Sequence, residues 1–516
     1  MPTAKSLIAD YVERIERARV YETAIETPLA FAPRLSARLG NEIFLKREDL
    51  QPIFSFKCRG AQNRLAQAPA ERLRRGVVCS SAGNHAQGVA LAAGRLGIRA
   101  LIVMPEGTPS IKIDAVSALG GEIVLKGQAY DDAYAHALAL AGERGLEFVH
   151  PFADPDVIAG QGTIGREIET QSDRRPAAVF IPIGGGGLAS GIGAWLHSRW
   201  PEVRLIGVEP VDAASMHAAL AAGGPVDLER VGIFADGVAV GRVADETYRI
   251  CREVIDSTIQ VDTDEICAAI KDIYEDTRVV TEPAGALAVA GMKRWIEQSG
   301  SMGQRLIAIN SGANLNFDRL RHISERADIG EHLEALFAVE IPERRGAFLE
   351  FCTALGSRNV TEFNYRYTPG ATARIFVGVG LSGARTDAGG IAAMLEKARY
   401  RVLDLSNNEL ARLHVRHMVG GPVPELEHEV IYRFEFPERP GALLAFLRAV
   451  GVRWNISLFH YRNHGSDYGR VLAGVQLPPD EREEFLQHLD QLGFSYWPET
   501  DNPAYRLFLS AGRGAG

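Results

Sequence analysis

The sequence contains few cysteines, and their positions form no recognisable pairs. Only five occur among the 516 residues, and no two of them make a Cys-x-x-Cys motif. They are Cys58, Cys79, Cys251, Cys267 and Cys352. This usage argues against a disulfide framework and against a cysteine-rich metal site. We therefore expect a cytoplasmic protein, kept in a reducing compartment, with no structural metal.

The sequence also lacks a basic stripe and any apolar run long enough to span a bilayer. The net charge is −9, because acidic residues outnumber lysines and arginines. Neither nucleic acid nor a membrane is then an expected partner. The first 28 residues have the pattern of an amphipathic helix, with Ile8, Val12 and Ile15 on one face. Because this segment carries acidic residues and no cleavage site, we do not expect it to be a targeting peptide.

A long alternation of strand and helix patterns occupies residues 40 to 320. Short β-branched runs end in Gly, Ser or Pro, and Ala-rich helical stretches follow them. The candidate strands are NEIFLKRE, GVVCSS, RALIVMP, GEIVLKG, EFVHPF, AAVFIPIGGGG, RLIGVEP and RLIAINSG. This pattern predicts an α/β fold with parallel sheet and helices on both faces. Ligands bind such sheets at the carboxyl ends of the strands.

The last third of the chain contains an internal repeat. Residues 337–367 (FAVEIPERRGAFLEFCTALGSRNVTEFNYRY) recur as residues 432–462 (YRFEFPERPGALLAFLRAVGVRWNISLFHYR). The order of elements in each copy is typical of the α+β ferredoxin-like βαββαβ unit. We expect one module at 333–408 and a second at 428–511, with a polar connection near 320–335 before them. A purely structural duplication is the alternative to a functional one.

Lys57 stands in the stretch IFSFKCRGAQ, between an aromatic run and a small, turn-prone segment. One interpretation is that its stem packs on apolar surface while the ammonium reaches solvent. The other is that partial burial lowers its pKa and makes it a nucleophile or a Schiff-base former. This stretch alone leaves both interpretations open.

The loop CSSAGNHAQG, residues 79–88, follows a predicted strand. Its small residues leave backbone N–H groups free above a helix that begins near His85, which is a typical anion site. Asn84 adds an amide that both donates and accepts hydrogen bonds. We expect His85 to hold the loop rather than to act as an acid or base.

A second loop, IPIGGGGLASG at residues 181–191, contains four consecutive glycines, Gly184 to Gly187. Without Cβ atoms these residues allow a backbone cup that holds a phosphate. The alternative is a nicotinamide dinucleotide site, in which Gly184-x-Gly186-x-x-Ala189 is the fingerprint and Glu209 binds a ribose.

Two more residues lie at the ends of predicted elements. Ser311, in AINSGANLNF, follows the last strand of the α/β region and is a candidate partner for a heteroaromatic nitrogen. Glu282 precedes a helix that begins with proline, where it either complements the helix dipole or belongs to the site. A phosphate cup, a buried lysine and a hydroxyl for a ring nitrogen are together what pyridoxal 5'-phosphate requires.

With these motifs the chain resembles the fold-type-II pyridoxal-phosphate enzymes, and within them the biosynthetic threonine dehydratases (threonine ammonia-lyases). The family's motifs stand in order as SFKCRGA, SSAGNHAQG, GGGGLASG and SGAN, and the resemblance covers nearly the whole chain. It implies a two-lobed, tryptophan synthase β-like catalytic domain at 1–325, with its smaller lobe at roughly 53–155, followed by two ACT-like regulatory modules. Cys58 departs from the family pattern, which has a larger aliphatic residue there, and this concerns the packing beside Lys57.

The resemblance also implies roles for individual residues. Lys57 is the catalytic, Schiff-base lysine. The other implied cofactor-binding residues are Asn84, Gly184, Gly185, Gly186, Gly187, Leu188 and Ser311. The implied contacts to the substrate carboxylate are Ser81, Ala82 and Gly83. The candidate effector-binding residues in the repeat are Tyr365, Arg416, Tyr461 and Arg462, which alternatively only join the two copies.

The activity that the resemblance implies is elimination of water from L-threonine, and also from L-serine. The product from threonine is 2-oxobutanoate with ammonia, the first step of isoleucine biosynthesis. Isoleucine would inhibit the enzyme, valine would oppose isoleucine, and the enzyme would be a homotetramer. The alternatives are a serine racemase, a catabolic dehydratase, a nicotinamide-dependent oxidoreductase and a non-catalytic amino-acid sensor. Ala82 argues against the racemase, because racemase-like members carry a serine there that exchanges a proton.

Overall fold

The computed structural model describes residues 4–330 and, with short gaps, 334–509. The gaps fall at residues 357, 368, 382–385, 409, 412–414, 419, 438–441, 451–452, 463–467 and 493. The chain separates into two compact units, Met1–Glu331 and His332–Gly516. Within the described part of the chain, no helix is both long and apolar enough to cross a membrane.

The first unit alternates strands and helices. Its strands are β1 (Leu29–Phe31), β2 (Glu42–Arg47), β3 (Val77–Ser80), β4 (Ala100–Met104), β5 (Glu122–Leu125), β6 (Glu147–Phe148), β7 (Ala178–Pro182), β8 (Arg204–Pro210), β9 (Ser257–Val261) and β10 (Arg305–Asn310). Its helices are α1 (Ala4–Glu16), α2 (Pro33–Leu39), α3 (Lys57–Gln67), α4 (Ala70–Leu73), α5 (Asn84–Leu96), α6 (Ser110–Ala118), α7 (Tyr130–Arg144), α8 (Pro155–Gln171), α9 (Gly187–Arg199), α10 (Ser215–Ala222), α11 (Asp245–Val254), α12 (Thr263–Thr277), α13 (Pro283–Ser299) and α14 (Leu320–Gly330).

These strands form two sheets. The larger sheet has the order β1-β2-β10-β7-β8-β9, and its pairs are parallel except for β1 with β2. The smaller sheet has the order β5-β4-β3-β6 and is parallel throughout. The predicted α/β fold with parallel sheet is confirmed, and so are all eight predicted strands. The sequence did not indicate β1, which has three residues, or β9, which is only partly buried and carries polar residues.

Local signals fix several helix ends. Asp154 caps α8 by accepting hydrogen bonds from the N–H groups of Asp156 and Val157, and Pro155 suits the first helical position. Asp262 and Glu265 form a capping box at the start of α12. At the chain's start, α1 buries Ile8 and Ile15, as the sequence predicts.

The predicted polar connection at 320–335 is wrong for most of its length. Residues 320–330 form α14, and its Ile323 and Ala327 are buried in a core cluster with Ile266 and Ile270 of α12. The polar residues that suggested a linker belong to the exposed face of an amphipathic helix.

The second unit consists of two βαββαβ modules. The first contains β11 (Glu334–Pro342), α15 (Ala347–Leu355), β12 (Val360–Arg366), β13 (Thr372–Gly380), α16 (Thr386–Lys397) and β14 (Arg401–Asp404). The second contains β15 (Glu429–Pro437), α17 (Ala442–Val450), β16 (Asn455–Arg462), β17 (Tyr468–Gln476), α18 (Arg482–Leu492) and β18 (Ser495–Pro498), and α19 (Pro503–Phe508) follows it. This order confirms the predicted repeat of ferredoxin-like units.

The two modules share one antiparallel sheet with the order β14-β11-β13-β12-β16-β17-β15-β18. They meet where β12 pairs with β16, with Phe363 opposite Tyr461 and Tyr365 opposite Phe459. All four of these side chains are buried in a single core that both modules supply. The modules therefore fold as one body and not as two independent domains.

Candidate active site

The motifs that the sequence singled out in the first unit converge on one cavity, which we call the inner cavity. It is lined by Phe56, Lys57, Asn84, Phe152, Pro182, Gly184, Gly185, Gly186, Gly187, Leu188, Gly237, Val238, Glu282, Ala284 and Ser311. A wider space of about 1000 Å³, the outer cleft, shares Lys57, Asn84, Phe152, Gly185, Gly237 and Glu282 with it. All of the predicted cofactor-binding residues line the inner cavity.

Lys57 is the first residue of α3 and faces this cavity. Its Nζ donates a hydrogen bond to the carbonyl oxygen of Pro151 at 3.1 Å and lies 5.2 Å from the centre of the Phe56 ring. Burial lowers the pKa of Lys57 to about 8, against a smaller opposing effect of the Glu282 carboxylate. The contact to Pro151 and the lowered pKa favour the second interpretation of Lys57, a half-buried amine that is partly neutral near physiological pH.

The glycine loop forms a cup at the start of α9. Gly186 has φ +90°, which favours glycine, and no side chain caps the helix. A Cβ on Gly185 would enter the Phe152 ring, and one on Gly187 would meet the Phe152 backbone oxygen at 2.7 Å. The first N–H groups of a helix have no partner within it, so the cup presents donors that suit an anion.

The loop at 81–83 leads into α5, whose first residue is Asn84. Gly83 is the N-cap, no side chain caps the helix, and the N–H of Gly83 reaches Ser81 Oγ at 3.2 Å. Ser81, Ala82 and Gly83 all line the outer cleft. His85 Nε2 lies 3.0 Å from the Val149 oxygen, and burial lowers the pKa of His85 to about 3. A neutral imidazole in this contact fits the expected role of holding the loop.

Ser311 follows β10 and is buried, with its Oγ donating to the Ala284 oxygen at 3.3 Å. The backbone around it is tied to the segment before Lys57. The N–H of Phe56 donates to the Ser311 oxygen, and Ser55 forms a β-bridge with Gly312. Phe54, within this tie, has φ +54° although it is not glycine, a conformation that other contacts must hold.

These groups fit pyridoxal 5'-phosphate. The glycine cup has no room for side chains and suits the phosphate, Lys57 supplies an amine, and Ser311 supplies a neutral hydroxyl for the ring nitrogen. Cys58 does not disturb this arrangement, because its side chain points into a small core with Val20, Ala24 and Ile53.

Sequence reasoning missed the loop between β6 and α8. Its Pro151 holds the Lys57 amine, and its Phe152 packs on the glycine cup. His150 Nδ1 accepts from the N–H groups of Phe152 and Ala153, which fixes the loop. The sequence did contain a signal for this loop, because the strand candidate EFVHPF ends in it, at the carboxyl edge of a parallel sheet.

The dinucleotide alternative does not fit. Glu209 is buried and accepts hydrogen bonds from the N–H groups of Met216 and His217 at 2.8 Å each, so it caps α10. It lines neither the inner cavity nor the outer cleft.

The predicted effector residues lie in the second unit. Tyr365 and Tyr461 are buried in its core, and the Tyr365 hydroxyl donates to Glu343 at 2.7 Å. The Arg416 guanidinium is buried against Glu334 at 3.2 Å and Glu362 at 3.0 Å. Arg462 ends β16, and its side chain lies outside the described residues. Two carboxylates thus already neutralise Arg416, a contact typical of a structural arginine.

The fold and the inner cavity define a pyridoxal-phosphate dependent enzyme, and the sequence matches the family of that description over residues 20–312. Residues 325–415 and 421–509 match the C-terminal regulatory domain of threonine dehydratase. The chain belongs to the biosynthetic threonine dehydratases, a family of lyases within the pyridoxal-phosphate dependent enzymes. Its cofactor is pyridoxal 5'-phosphate, and the nicotinamide-dependent alternative is excluded.

Individual relatives show the same similarity in sequence and in structure. The biosynthetic L-threonine dehydratase of Burkholderia multivorans is 54% identical over 504 residues, which are 97% of this chain and 99% of that protein. The processed form of threonine deaminase isoform 2 from Solanum lycopersicum has a solved structure that is 48% identical. It covers 62% of this chain and 93% of its own, with a TM-score of 0.61. The structure of maize serine racemase is 30% identical and covers 63% and 98%, with a TM-score of 0.56.

Proposed function

We propose that the enzyme converts L-threonine to 2-oxobutanoate and ammonia, the first step of isoleucine biosynthesis. Water is eliminated from the substrate, and hydrolysis of the resulting imine takes up water again and releases ammonia. L-Serine is the smaller alternative substrate. The observation that carries this proposal is the meeting of Lys57, Ser311 and the glycine cup in one cavity, within a chain built like its threonine-dehydrating relatives.

Pyridoxal 5'-phosphate, when bound, withdraws electrons from the substrate's α-carbon and so makes its proton removable. Lys57 would hold the cofactor covalently, and Gly184 to Gly187 with Leu188 would hold its phosphate. Asn84 would contact the oxygen on the ring, and Ser311 would face the ring nitrogen as a neutral partner. A neutral partner leaves that nitrogen largely unprotonated, which favours elimination over transamination.

Lys57 is also the proposed base. Its Nζ would accept the substrate's α-proton. The lowered pKa supports this role, because a neutral amine is needed for both tasks. The carbonyl oxygen of Pro151 gives the amine a fixed hydrogen-bond acceptor.

The substrate carboxylate is assigned to the loop at the start of α5. Ser81, Ala82 and Gly83 line the outer cleft next to Asn84. The N–H groups in the first turn of α5, which have no partner within the helix, and the helix dipole favour an anion there. In this proposal the substrate lies between that loop and Lys57.

The test is to incubate the purified enzyme with L-threonine and measure 2-oxobutanoate and ammonia. Both should form in equal amounts, and Lys57→Ala should reduce the rate by several orders of magnitude, whereas Lys126→Ala on the surface should not.

L-Serine in the same assay separates the racemase alternative, which the maize serine racemase structure raises. Ala82 has no proton to exchange, so pyruvate should form without comparable D-serine on chiral chromatography.

The second unit is proposed to bind isoleucine as an inhibitor and valine as its antagonist. The proposed effector residues are Tyr365, Arg416, Tyr461 and Arg462, and Glu334 and Glu362 hold the Arg416 guanidinium. The proposed boundaries are 1–325 for the catalytic domain, with its smaller lobe at 53–155, and 333–408 and 428–511 for the modules. A homotetramer in the cytoplasm completes the proposal, and five buried cysteines without disulfides support a reducing compartment.

A further inference from the structure

Two ionisable side chains stand among the described residues that line the inner cavity, Lys57 and Glu282. The proposed function gives Glu282 no task. Glu282 precedes α13 at the N-cap position, yet its carboxylate makes no capping hydrogen bond to that helix. Complementing the helix dipole therefore does not account for where its side chain points.

Glu282 is instead the end of a hydrogen-bonded chain that crosses the cavity wall. Its Oε1 accepts from Asn84 Nδ2 at 2.7 Å, and Asn84 Oδ1 accepts from Asn314 Nδ2 at 2.6 Å. Asn314 Nδ2 also donates to the backbone oxygen of Ile53 at 2.7 Å. The chain joins α5 to the loop after β10 and to the start of α13.

The donors and acceptors in this hydrogen-bonded chain determine the orientation of the side-chain amides of Asn84 and Asn314. A backbone carbonyl only accepts, so the NH₂ group of Asn314 must face Ile53, and its other hydrogen then meets the oxygen of Asn84. The NH₂ group of Asn84 is left to face Glu282. A side-chain amide has two N–H donors and one oxygen, so after these contacts Asn84 keeps one free N–H.

We propose that Glu282 and Asn314 are positioning residues that hold Asn84 so that it offers the cofactor a hydrogen-bond donor and not an acceptor. Building on the proposed function, this arrangement selects the ionised form of the oxygen on the cofactor's ring, because an anionic oxygen is the better acceptor for an N–H. Reversing the Asn84 amide would instead set two oxygens against each other.

The charges around Glu282 are compatible with this role. Lys57 of α3, Lys112 of α6 and Asp236 of the 3₁₀ turn Asp236–Val238 face it, and Lys112 pairs with Asp236 at 2.8 Å. Burial and the charge of Asp236 raise the pKa of Glu282 to about 7, against the lowering effects of Asn84 and the two lysines. Whether protonated or ionised, the Glu282 carboxyl presents an oxygen to Asn84, so the hydrogen-bonded chain does not depend on the charge of Glu282.

The experiment compares holoenzymes that carry Glu282→Ala, Glu282→Gln and Asn314→Asp. Two quantities are measured for each: the dissociation constant of pyridoxal 5'-phosphate and the absorption spectrum of the bound cofactor. Asp131→Ala is the matched control, because it removes an acidic side chain that lines the outer cleft but takes no part in the hydrogen-bonded chain. Thermal unfolding of each protein verifies that it is folded.

Asn314→Asp should weaken cofactor binding and shift the absorption band, because it forces the Asn84 amide to turn. Glu282→Gln keeps an oxygen acceptor and should retain most of the affinity, as should Asp131→Ala.

Unchanged affinity and spectrum in Glu282→Ala and Asn314→Asp would overturn the proposal. So would a Glu282→Gln protein as impaired as Glu282→Ala, since charge and not the hydrogen bond would then matter. If Glu282→Ala does not fold, the contrast between Glu282→Gln and Asn314→Asp decides. Failure of the proposed function would show separately, as a wild-type protein that binds no cofactor at Lys57.

Discussion

Lys57 and Glu282 face the same cavity, and burial moves the pKa of each towards neutrality. The pKa of the Lys57 amine falls to about 8, and that of the Glu282 carboxyl rises to about 7. Desolvation is the largest cause in both cases, because it penalises whichever form is charged. The cofactor-free cavity therefore holds an amine and a carboxyl that both exchange protons near physiological pH.

The stability of the cofactor-free protein should reveal the Glu282 carboxyl. Its pKa is raised from about 4.5 to about 7, so the folded protein keeps the proton to higher pH than the unfolded chain does. The wild type should therefore lose stability relative to Glu282→Gln as pH rises from about 4.5 to 7, by up to about 3 kcal/mol.

The measurement is the melting temperature of both proteins between pH 5 and 7.5. Contributions of titrating groups that do not interact with Glu282 cancel in the difference between the two. A difference that does not change with pH would contradict the raised pKa. A difference of the opposite sign, with the wild type gaining stability as pH rises, would contradict it as well.

At the scale of single residues, the sequence was informative where neighbouring residues form a recognisable motif. Lys57, Ser311 and the four glycines stand in short motifs, and the structure brings them together in the inner cavity. The bond between Glu282 and Asn84 could not be predicted, because it joins residues far apart in the chain through tertiary packing. For the same reason, the sequence did not decide whether Glu282 complements the dipole of a helix or belongs to the active site.

Among the elements, α3 is the one that carries Lys57, and a buried ionic network holds it. Arg59 is fully buried between Glu48 and Glu167, and Lys46 of β2 also reaches Glu167 at 2.6 Å. The two positive and two negative charges balance, which such burial requires. The start of α3 is thereby tied to the larger sheet and to α8, so the position of Lys57 follows from elements on both sides.

Parallel topology explains why the loops after β3, β7 and β10 could be identified before the structure was known, although the loop after β6 was missed. The carboxyl ends of β3, β6, β7 and β10 lead into the loops that supply the cavity. Alternation of strand and helix in the sequence is enough to predict this arrangement. It does not reveal backbone groups such as the Pro151 carbonyl, whose role depends on where a neighbouring loop passes.

In the second unit, Arg416→Ala should destabilise the fold even without any effector. Removing the guanidinium leaves Glu334 and Glu362 buried without their cation, which costs about 3 kcal/mol or more. Arg401→Ala is the matched control, since the Arg401 side chain is 87% exposed and its pair with Glu340 contributes little.

Thermal unfolding in the absence of amino acids compares these two variants with the wild type. Arg416→Ala should lower the melting temperature clearly and Arg401→Ala hardly at all. Equal melting temperatures for Arg416→Ala and the wild type would show that the pairs of Arg416 with Glu334 and Glu362 do not stabilise the fold.

The division of the whole chain into two units predicts that catalysis and inhibition are separable. A protein ending at Glu331 keeps all of α14, whose Ala327 is buried, whereas one ending at residue 325 loses half of that helix. The longer truncation product should deaminate L-threonine without inhibition by isoleucine, and the shorter one should be less stable.

Initial rates with and without isoleucine, in the full chain and in residues 1–331, test this separation. Allosteric coupling is typically about 1–3 kcal/mol, so isoleucine should change the apparent affinity of the full chain for threonine roughly five- to 150-fold. Equal inhibition of both proteins would place the effector site in the first unit.

Borohydride reduction followed by peptide mapping determines whether Lys57 binds pyridoxal 5'-phosphate covalently. Reduction fixes the cofactor to the amine that holds it, and mass spectrometry of the digested protein then identifies that lysine. We expect a single labelled peptide containing Lys57, and no label in Lys57→Ala treated in the same way. A label on any other lysine of the wild type, or bound cofactor that reduction fails to attach, would contradict it.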